Sequence, residues 1–166
     1  MRKPTKKSTI AVIAVLAALA VGVAVLAVLG GREAAPGRRL REDAVFLVTV
    51  GGTEHRVTVE DIESLGPREI EANYKKSGKD PETRVYTGVP FAAVLRLKGI
   101  GAETLRSATF SAADTYSSIL PMEDALDEEN CYIVLDAGDE GPFRMILARD
   151  RFSQRWCKLL TGVALK

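Results

Sequence analysis

The sequence predicts an α+β fold, a mixed and mainly β domain with short helices, preceded by one N-terminal transmembrane helix. Two observations support this prediction. An unbroken apolar run of 20 residues, 10–29, lies near the N-terminus. After residue 43, short strand-like and helix-like patterns follow one another without the regular alternation of a parallel α/β sheet. A chain of 166 residues has room for one ordinary domain and an appendage.

The apolar run is long enough to cross a membrane. At a rise of 1.5 Å per residue, a helix of this length spans about 30 Å, the thickness of a hydrocarbon core. Basic residues precede it and favour a cytoplasmic N-terminus: Arg2, Lys3, Lys6 and Lys7. We therefore expect a basic cytoplasmic segment at 1–9, a single-pass anchor in the cell membrane at 10–29, and an extracytoplasmic folded domain.

Two other interpretations of the apolar run stay open. A cleaved signal peptide has the same basic start, but its apolar region is usually only about 7–15 residues long. Ala34-Ala35 offers a small-residue cleavage site, although charged Arg32 and Glu33 precede it. A buried helix is the third possibility. An uncleaved anchor fits the length best.

Charge divides with the predicted organisation. Residues 1–43 carry 8 basic and 3 acidic side chains, a net charge of +5, whereas residues 44–166 carry 15 and 19, a net charge of −4. Residues 30–43 form a polar linker rich in Gly, Pro and Arg. The folded domain, 44–166, lacks the basic field of a nucleic-acid binder, so we expect no nucleic-acid partner.

Within the folded domain, apolar spacing and turn residues predict the order of elements. Strands are expected at 45–50, 54–59, 68–74, 108–111, 132–135, 143–147 and 156–165, and helical segments at 58–65, 91–97 and 121–126. Thr58 is expected to be the N-cap of the first helical segment. Thr87 to Pro90 is interpreted as the opening of the second helix. Charged loops are expected at 75–84 and 136–142.

The chain has two cysteines and one histidine. Cys131 and Cys157 share no CxxC spacing, so a disulfide in an extracytoplasmic domain and two buried thiols both stay open. His55 lies in a predicted hairpin strand and is expected to be half exposed. No metal site is predicted, because a two-cysteine site would have only this histidine to draw on.

Four segments occur in the order found in the sulfite-oxidase-type molybdopterin-binding domain of oxidoreductases. They are Tyr86-Thr87-Gly88-Val89-Pro90-Phe91, Asp114 to Pro121 (DTYSSILP), Gly141-Pro142-Phe143-Arg144 and Arg155-Trp156. The chain resembles that family from about Phe46 to Leu165. The resemblance implies the fold of that domain and a site for a molybdopterin cofactor.

Three departures from the family pattern fall where the cofactor would bind. Lys76 occupies the position of the cysteine thiolate that binds molybdenum, and a protonated amine has no lone pair to donate. The Asn-Arg-Arg that follows this cysteine is absent. The histidine before the Gly-x-Pro-x-Arg segment is replaced by Asp139-Glu140. We therefore expect no cofactor, with molybdopterin as the alternative.

The resemblance implies three candidate cofactor-binding residues, Tyr116, Arg144 and Lys76, of which Tyr116 is also the candidate catalytic residue. Tyr116 falls at the family's active-site tyrosine, but its ring can equally pack at a turn with the hydroxyl in water. Arg144 can pair with a carboxylate instead of an anionic ligand. Trp156 is expected to be a core aromatic residue.

The function predicted from the sequence is a membrane-anchored ligand-binding or interaction module, beside a membrane redox or transport protein. The alternatives are a molybdopterin-dependent oxidoreductase with an atypical cofactor site and a structural domain that holds a partner at the membrane. Whether the chain is an enzyme stays open, with the missing thiolate arguing against it.

Overall fold

The computed structural model of the chain describes residues 44–75, 80–135 and 141–166. The predicted anchor, the linker and Lys76 lie outside these ranges. Among the described residues, no helix is both long and apolar enough to cross a membrane.

The described chain forms two β-sheets. The strands are β1 (Val45–Val50), β2 (Thr53–Thr58), β3 (Arg68–Tyr74), β4 (Glu82–Pro90), β5 (Ser107–Ala112), β6 (Ser117–Pro121), β7 (Cys131–Leu135), β8 (Phe143–Leu147) and β9 (Leu160–Leu165). One sheet has the order β2-β1-β9-β5-β6, and the other has the order β3-β4-β7-β8. The strand pairs are antiparallel, except that β1 and β9 run parallel.

Three short α-helices and one 3-10 turn connect the strands. The helices are α1 (Val59–Ser64), α2 (Phe91–Leu97) and α3 (Met122–Leu126), and the 3-10 turn is Ser153–Arg155. Strands and short helices therefore mix as predicted, which confirms a mainly β, α+β domain. Thr58 caps α1 as predicted: its hydroxyl accepts from the Asp61 N–H at 3.2 Å, and the Asp61 carboxylate accepts from the Thr58 N–H at 2.8 Å.

The core lies between the inner faces of the two sheets. Phe46 of β1 meets Phe143 of β8 edge-on, with ring centroids 5.1 Å apart. Phe91 of α2 meets Phe110 of β5 in the same way at 5.0 Å. Strand β8 is buried along its whole length, because it is covered on both faces and reads as a continuous apolar run apart from one arginine.

The structure corrects three of the predicted elements. Thr87 to Pro90 belongs to β4, a strand whose first half is exposed and charged and which forms by pairing with β3. The Tyr116 motif leads into an unpredicted strand, β6. The last strand begins at Leu160 and not at Trp156, because Leu159 has a φ of +51°, outside the range of extended backbone.

Candidate functional site

Three aromatic rings meet where the end of β3, the middle of β4 and the segment after the 3-10 turn come together. The Trp156 ring lies 5.4 Å from Tyr86, nearly perpendicular to it, and 6.2 Å from Tyr74. Trp156 is only 3% exposed, and its indole N–H donates to the Leu147 carbonyl at 3.2 Å. It is therefore the core residue that was predicted, and it holds the two tyrosines in place.

Three cationic side chains surround these rings. The Arg84 guanidinium carbon lies 3.9 Å from the centroid of the Tyr74 ring, and the Lys158 ammonium lies 5.2 Å from the same centroid. The Arg144 guanidinium carbon lies 5.8 Å from the centroid of Tyr86. We call these six residues the cation–aromatic cluster: Tyr74, Tyr86, Trp156, Arg84, Arg144 and Lys158.

Charge in the cluster is balanced in part by a neighbouring carboxylate. Arg84 forms an ion pair with Glu82, two residues earlier on the same strand. Lys158 donates to the Tyr74 hydroxyl over 3.5 Å, a long and weak contact. The faces of aromatic rings attract cations, so the rings help to hold positive charge at this place.

The hydroxyl of Tyr86 is a polar group of the cluster that lies away from solvent. It is buried and has no hydrogen-bond partner of acceptable geometry among the described residues. Burial raises the pKa of Tyr86, and the nearby Arg144 and Arg84 charges, together with a contact from the Arg84 guanidinium to the hydroxyl oxygen, oppose this rise only in part. Arginine only donates hydrogen bonds, so the proton of the Tyr86 hydroxyl still has no acceptor. The group is therefore a protonated O–H donor at neutral pH, beside two guanidinium groups.

The predicted candidate Arg144 belongs to this cluster. It is the second residue of the buried strand β8 and is only 4% exposed. A buried guanidinium is rare in a protein core and requires compensating contacts. Its recorded ring contact with Tyr86 places it beside the unpartnered hydroxyl.

The predicted candidate Tyr116 lies outside the cluster, in the turn between β5 and β6. The residue is 40% exposed, and its hydroxyl donates to the Gln154 carbonyl at 2.6 Å. The main chain of the 3-10 turn therefore accepts the proton of this hydroxyl.

The third candidate, Lys76, lies outside the described residues, but its neighbour Lys75 is described. The Lys75 backbone N–H donates to the Ser153 hydroxyl at 3.1 Å, and the Lys75 ammonium lies 4.5 Å from the Phe152 ring centroid. The 3-10 turn therefore joins the end of β3 to the Tyr116 turn. Tyr116 and the residue before Lys76 are tied to one segment, which continues into the cluster at Trp156.

The two cysteines are free, buried thiols. Cys131 pairs with Leu147 on one edge of β8, and Cys157 forms a bridge with Met145 on the other edge. Neighbouring strands are about 4.8 Å apart, so the two α-carbons are roughly 10 Å apart, too far for a disulfide. Of the two alternatives left open by the sequence, the structure has the buried thiols.

Neither thiol is suited to bind molybdenum. Burial raises the pKa of the Cys131 thiol well above its usual range, and burial together with the Asp114 charge raises the pKa of Cys157 to about 12. A metal would therefore have to displace a proton from a buried thiol to bind either group, because the thiolate is the form that ligates metals. Within the described residues, no group of three or more His, Cys, Asp or Glu side chains is able to hold a metal ion.

The molybdopterin cofactor implied by the resemblance therefore does not fit the donors that this chain offers. The resemblance places Lys76 where the thiolate is required, and both cysteines are free and buried. A soft metal centre requires a soft ligand, which these residues do not provide.

A second group of charges lies around the start of β7. Arg149 pairs with Asp127 at 2.7 Å and with Glu129, and Arg155 pairs with Asp150 and, at 3.3 Å, with Asp124. We call these six residues the arginine–carboxylate network. The acidic side chains of this region therefore hold arginines.

Sequence reasoning found only two of the six cluster residues, Arg144 and Trp156. Tyr74 and Arg84 lie on the paired strands β3 and β4, and Lys158 comes from a segment 84 residues after Tyr74, so they meet only after folding. The signal available for Tyr86 was its position at the start of the Tyr-Thr-Gly-Val-Pro motif. That motif was interpreted as a fold marker and not as part of a site.

Comparisons with known proteins support the fold alone. No protein-family model and no curated protein sequence matches the chain. The structure is similar to the sulfane dehydrogenase SoxCD from Paracoccus pantotrophus, with a TM-score of 0.61 at 15% sequence identity. The match covers 75% of this chain and 38% of that one, so the chain spans well under half of the protein it matches. The described domain thus has a fold distantly like that of part of this sulfane dehydrogenase.

Proposed function

We propose that this chain is a membrane-anchored, extracytoplasmic module that binds a small oxyanion-bearing ligand at the cation–aromatic cluster, without molybdenum. The observation that carries the proposal is the buried Tyr86 hydroxyl, a protonated donor with no partner beside Arg144 and Arg84. Such a donor costs about 1–3 kcal/mol while it is unsatisfied, and an anion that accepts its proton removes that cost.

The class of ligand follows from the groups in the cluster. Guanidinium groups bind carboxylate, sulfate and phosphate oxygens through paired hydrogen bonds, and the ammonium group of Lys158 adds a point charge. The Tyr86 hydroxyl is closed to solvent, so a ligand has to displace a covering side chain to reach it. The Trp156 and Tyr74 rings provide an apolar wall for the organic part of a larger ligand.

An anion titration tests the proposal. The full chain in detergent is melted with sodium sulfate and with sodium chloride at equal ionic strength. We expect sulfate to raise the melting temperature of the wild type more than that of Tyr86→Phe or Arg144→Leu. Sulfate also stabilises proteins without binding to a site, because it is excluded from the protein surface. This non-specific rise in melting temperature should be equal in all variants.

The matched control is Tyr116→Phe, which removes a tyrosine hydroxyl outside the cluster. It should keep the full response to sulfate. An equal response of wild type, Tyr86→Phe and Arg144→Leu would show that the cluster does not bind the anion.

The membrane location is part of the same proposal and is supported by the apolar run 10–29 with basic residues before it. A protease added outside intact cells should degrade the folded domain without any treatment that breaks the membrane. Protection from the protease in intact cells would contradict the orientation. A membrane redox or transport protein is the partner that we propose for such a module.

The alternative function is a molybdopterin-dependent oxidoreductase with an atypical cofactor site. The fold similarity to a sulfane dehydrogenase is the observation that favours it. It requires a soft ligand other than the two buried thiols. Stoichiometric molybdenum in the purified chain would favour it over the anion-binding module.

A further inference from the structure

Strand β6 (Ser117–Pro121) forms one edge of the five-stranded sheet and pairs only with β5. Its sequence, SSILP, contains no charged residue. Ile119 points outward and is 68% exposed, more than any other large apolar side chain in the described part of the chain. A sheet edge of this kind is open to pairing with another strand.

The other described edge strands carry the usual protection. β2 has Glu54 and Arg56, and β3 has Arg68, Glu69 and Glu71. The outer edge of β8 is partly covered by its bridge to Cys157. Charged side chains on an edge oppose pairing with a further strand. Among the described edges, β6 alone has neither charge nor cover.

The hydrogen bonds at both ends of β6 show which of its backbone groups face outward. The Tyr116 carbonyl accepts from Ala112, and the Met122 N–H donates to Arg106, so even-numbered residues face β5. In an antiparallel ladder the direction alternates from residue to residue. Ser117, Ile119 and Pro121 therefore present their backbone groups to the open side, and Pro121 has a carbonyl but no N–H to offer there.

We infer that β6 pairs with β6 of a second copy of this chain, antiparallel and across a two-fold axis at Ile119. Each Ile119 N–H then donates to the Ile119 carbonyl of the other copy. Each Ser117 N–H donates to the Pro121 carbonyl of the other copy. Pro121 has no N–H, so one hydrogen bond is missing at each end of this ladder. A missing bond at an end disturbs the pairing less than one in the middle.

The absence of charge on β6 favours a second copy of this chain as the partner that pairs with its open edge. A two-fold axis places each side chain opposite the same side chain or its symmetric counterpart, so a charged strand would bring like charges together. β6 has no charge to repel, and its two Ile119 side chains cover one another. A partner with a complementary charged strand would gain nothing from this edge.

The pairing should be weak between freely diffusing molecules. A five-residue edge buries far less than the roughly 1,600 Å² of a standard interface. Confinement of the chains in one membrane raises their effective concentration and favours the pair. The inference does not depend on anion binding, but it rests on the membrane anchor of the proposed function.

Cysteine crosslinking in the full chain tests this inference. The native Cys131 and Cys157 are buried and protonated, so a mild oxidant should leave them unchanged. We expect Ile119→Cys to form a disulfide-linked dimer in the membrane, because cross-strand α-carbons at such a pair are about 5.5 Å apart. Val85→Cys is the matched control, since Val85 is also an exposed apolar strand residue, 58% exposed.

Ile119→Lys places two positive charges together at the axis and should reduce chemical crosslinking of two copies severalfold, with an unchanged melting temperature. Three outcomes would overturn the inference. These are no dimer from Ile119→Cys, equal dimer yields from Ile119→Cys and Val85→Cys, or a crosslink from position 119 to a different protein.

Discussion

The cation–aromatic cluster and the arginine–carboxylate network use the same cationic residue types in different surroundings. In the network, exposed arginines lie against carboxylates: Arg149 contacts Asp127 and Glu129, and Arg155 contacts Asp150. In the cluster, the recorded contacts of Arg84 and Arg144 include the faces of tyrosine rings. The network binds two loops together at the surface, whereas the cluster holds cationic groups beside a buried hydroxyl.

This difference indicates how much each region contributes to the stability of the fold. Exposed ion pairs stabilise a fold only slightly, because water and salt screen them. Buried rings stabilise it strongly, because they remove a large apolar area from water. We therefore expect substitutions in the cluster to have larger effects on stability than substitutions in the network, and to have effects on anion binding that the network lacks.

The largest effect is expected at Trp156, which contacts both tyrosines of the cluster. Trp156→Ala should lower the free energy of unfolding by about 3–5 kcal/mol, because it leaves a cavity in the core. Trp156→Phe keeps an aromatic ring and loses the hydrogen bond to Leu147, so its cost should be clearly smaller. Chemical denaturation of both variants measures these free energies of unfolding. A small effect of Trp156→Ala would show that the Trp156 ring is not central to the cluster.

A smaller but still large effect is expected at Gly88, two residues after Tyr86 on β4. A Cβ at this position would lie 2.5 Å from the Ile133 carbonyl oxygen and 2.9 Å from the Val134 α-carbon. Gly88→Ala must push β4 away from β7 and should cost about 1–3 kcal/mol. Gly162→Ala is the control, because its nearest contact would be an ordinary 3.7 Å. Equal melting temperatures for the two variants would contradict the close approach of the strands.

An effect of the opposite sign is expected at the Tyr86 hydroxyl. Tyr86→Phe removes a buried donor that has no partner, so it should stabilise the ligand-free chain by about 1 kcal/mol. Tyr132→Phe is the control: its hydroxyl accepts a hydrogen bond from Arg68 at 3.0 Å, and its removal should not stabilise the chain. A loss of stability in Tyr86→Phe would mean that the hydroxyl is satisfied.

A pH-dependent effect is expected at Asp61, which forms an ion pair with Lys98. This ion pair is less exposed than the arginine–carboxylate pairs of the network. The Lys98 ammonium lies 2.6 Å from the Asp61 carboxylate. Burial alone would raise the pKa of Asp61, but hydrogen bonds from Lys98 and Thr58 outweigh it and lower the pKa below its usual value of 3.8. The stabilising contribution of Asp61 is therefore fully present above about pH 4 and is lost as the pH falls through the lowered pKa.

Asp61→Asn tests this dependence by chemical denaturation at several pH values. The substitution should cost about 0.5–2 kcal/mol at pH 7, and the difference from the wild type should shrink below about pH 4. The same cost at pH 7 and pH 3 would show that the charge of Asp61 does not contribute.

The smallest effect is expected in the arginine–carboxylate network itself. Arg149→Ala should cost less than about 1 kcal/mol, and high salt should reduce even this difference. Unlike the cluster variants, it should leave the response to sulfate unchanged. A cost as large as that of Trp156→Ala would remove the distinction between the two regions.

The sequence allowed much of the fold to be predicted, and particular residues show why. The Thr58 cap and the strands 45–50 and 68–74 follow from local patterns that the structure repeats. β4 was missed because its exposed half carries no alternation, and only pairing with β3 makes it a strand. The start of β9 was missed because nothing in the local pattern indicates the positive φ of Leu159.

Less of the candidate site could be predicted. Arg144 and Trp156 were identified through motifs, but Tyr74, Arg84 and Lys158 come from segments up to 84 residues apart and meet only after folding. Tyr116 was identified through its motif, and the structure assigns it a contact with the main chain at Gln154. Local sequence patterns carry no information on such encounters, because these depend on the order of strands in the sheets.

We propose that the chain keeps the fold and binds an anion without the metal centre. The most direct test is to measure molybdenum and pterin in the full chain, purified from cells able to make the cofactor. We expect both to be far below one equivalent per chain, since Lys76 replaces the required thiolate and the two cysteines are protonated. One equivalent of molybdenum with pterin per chain would contradict this account.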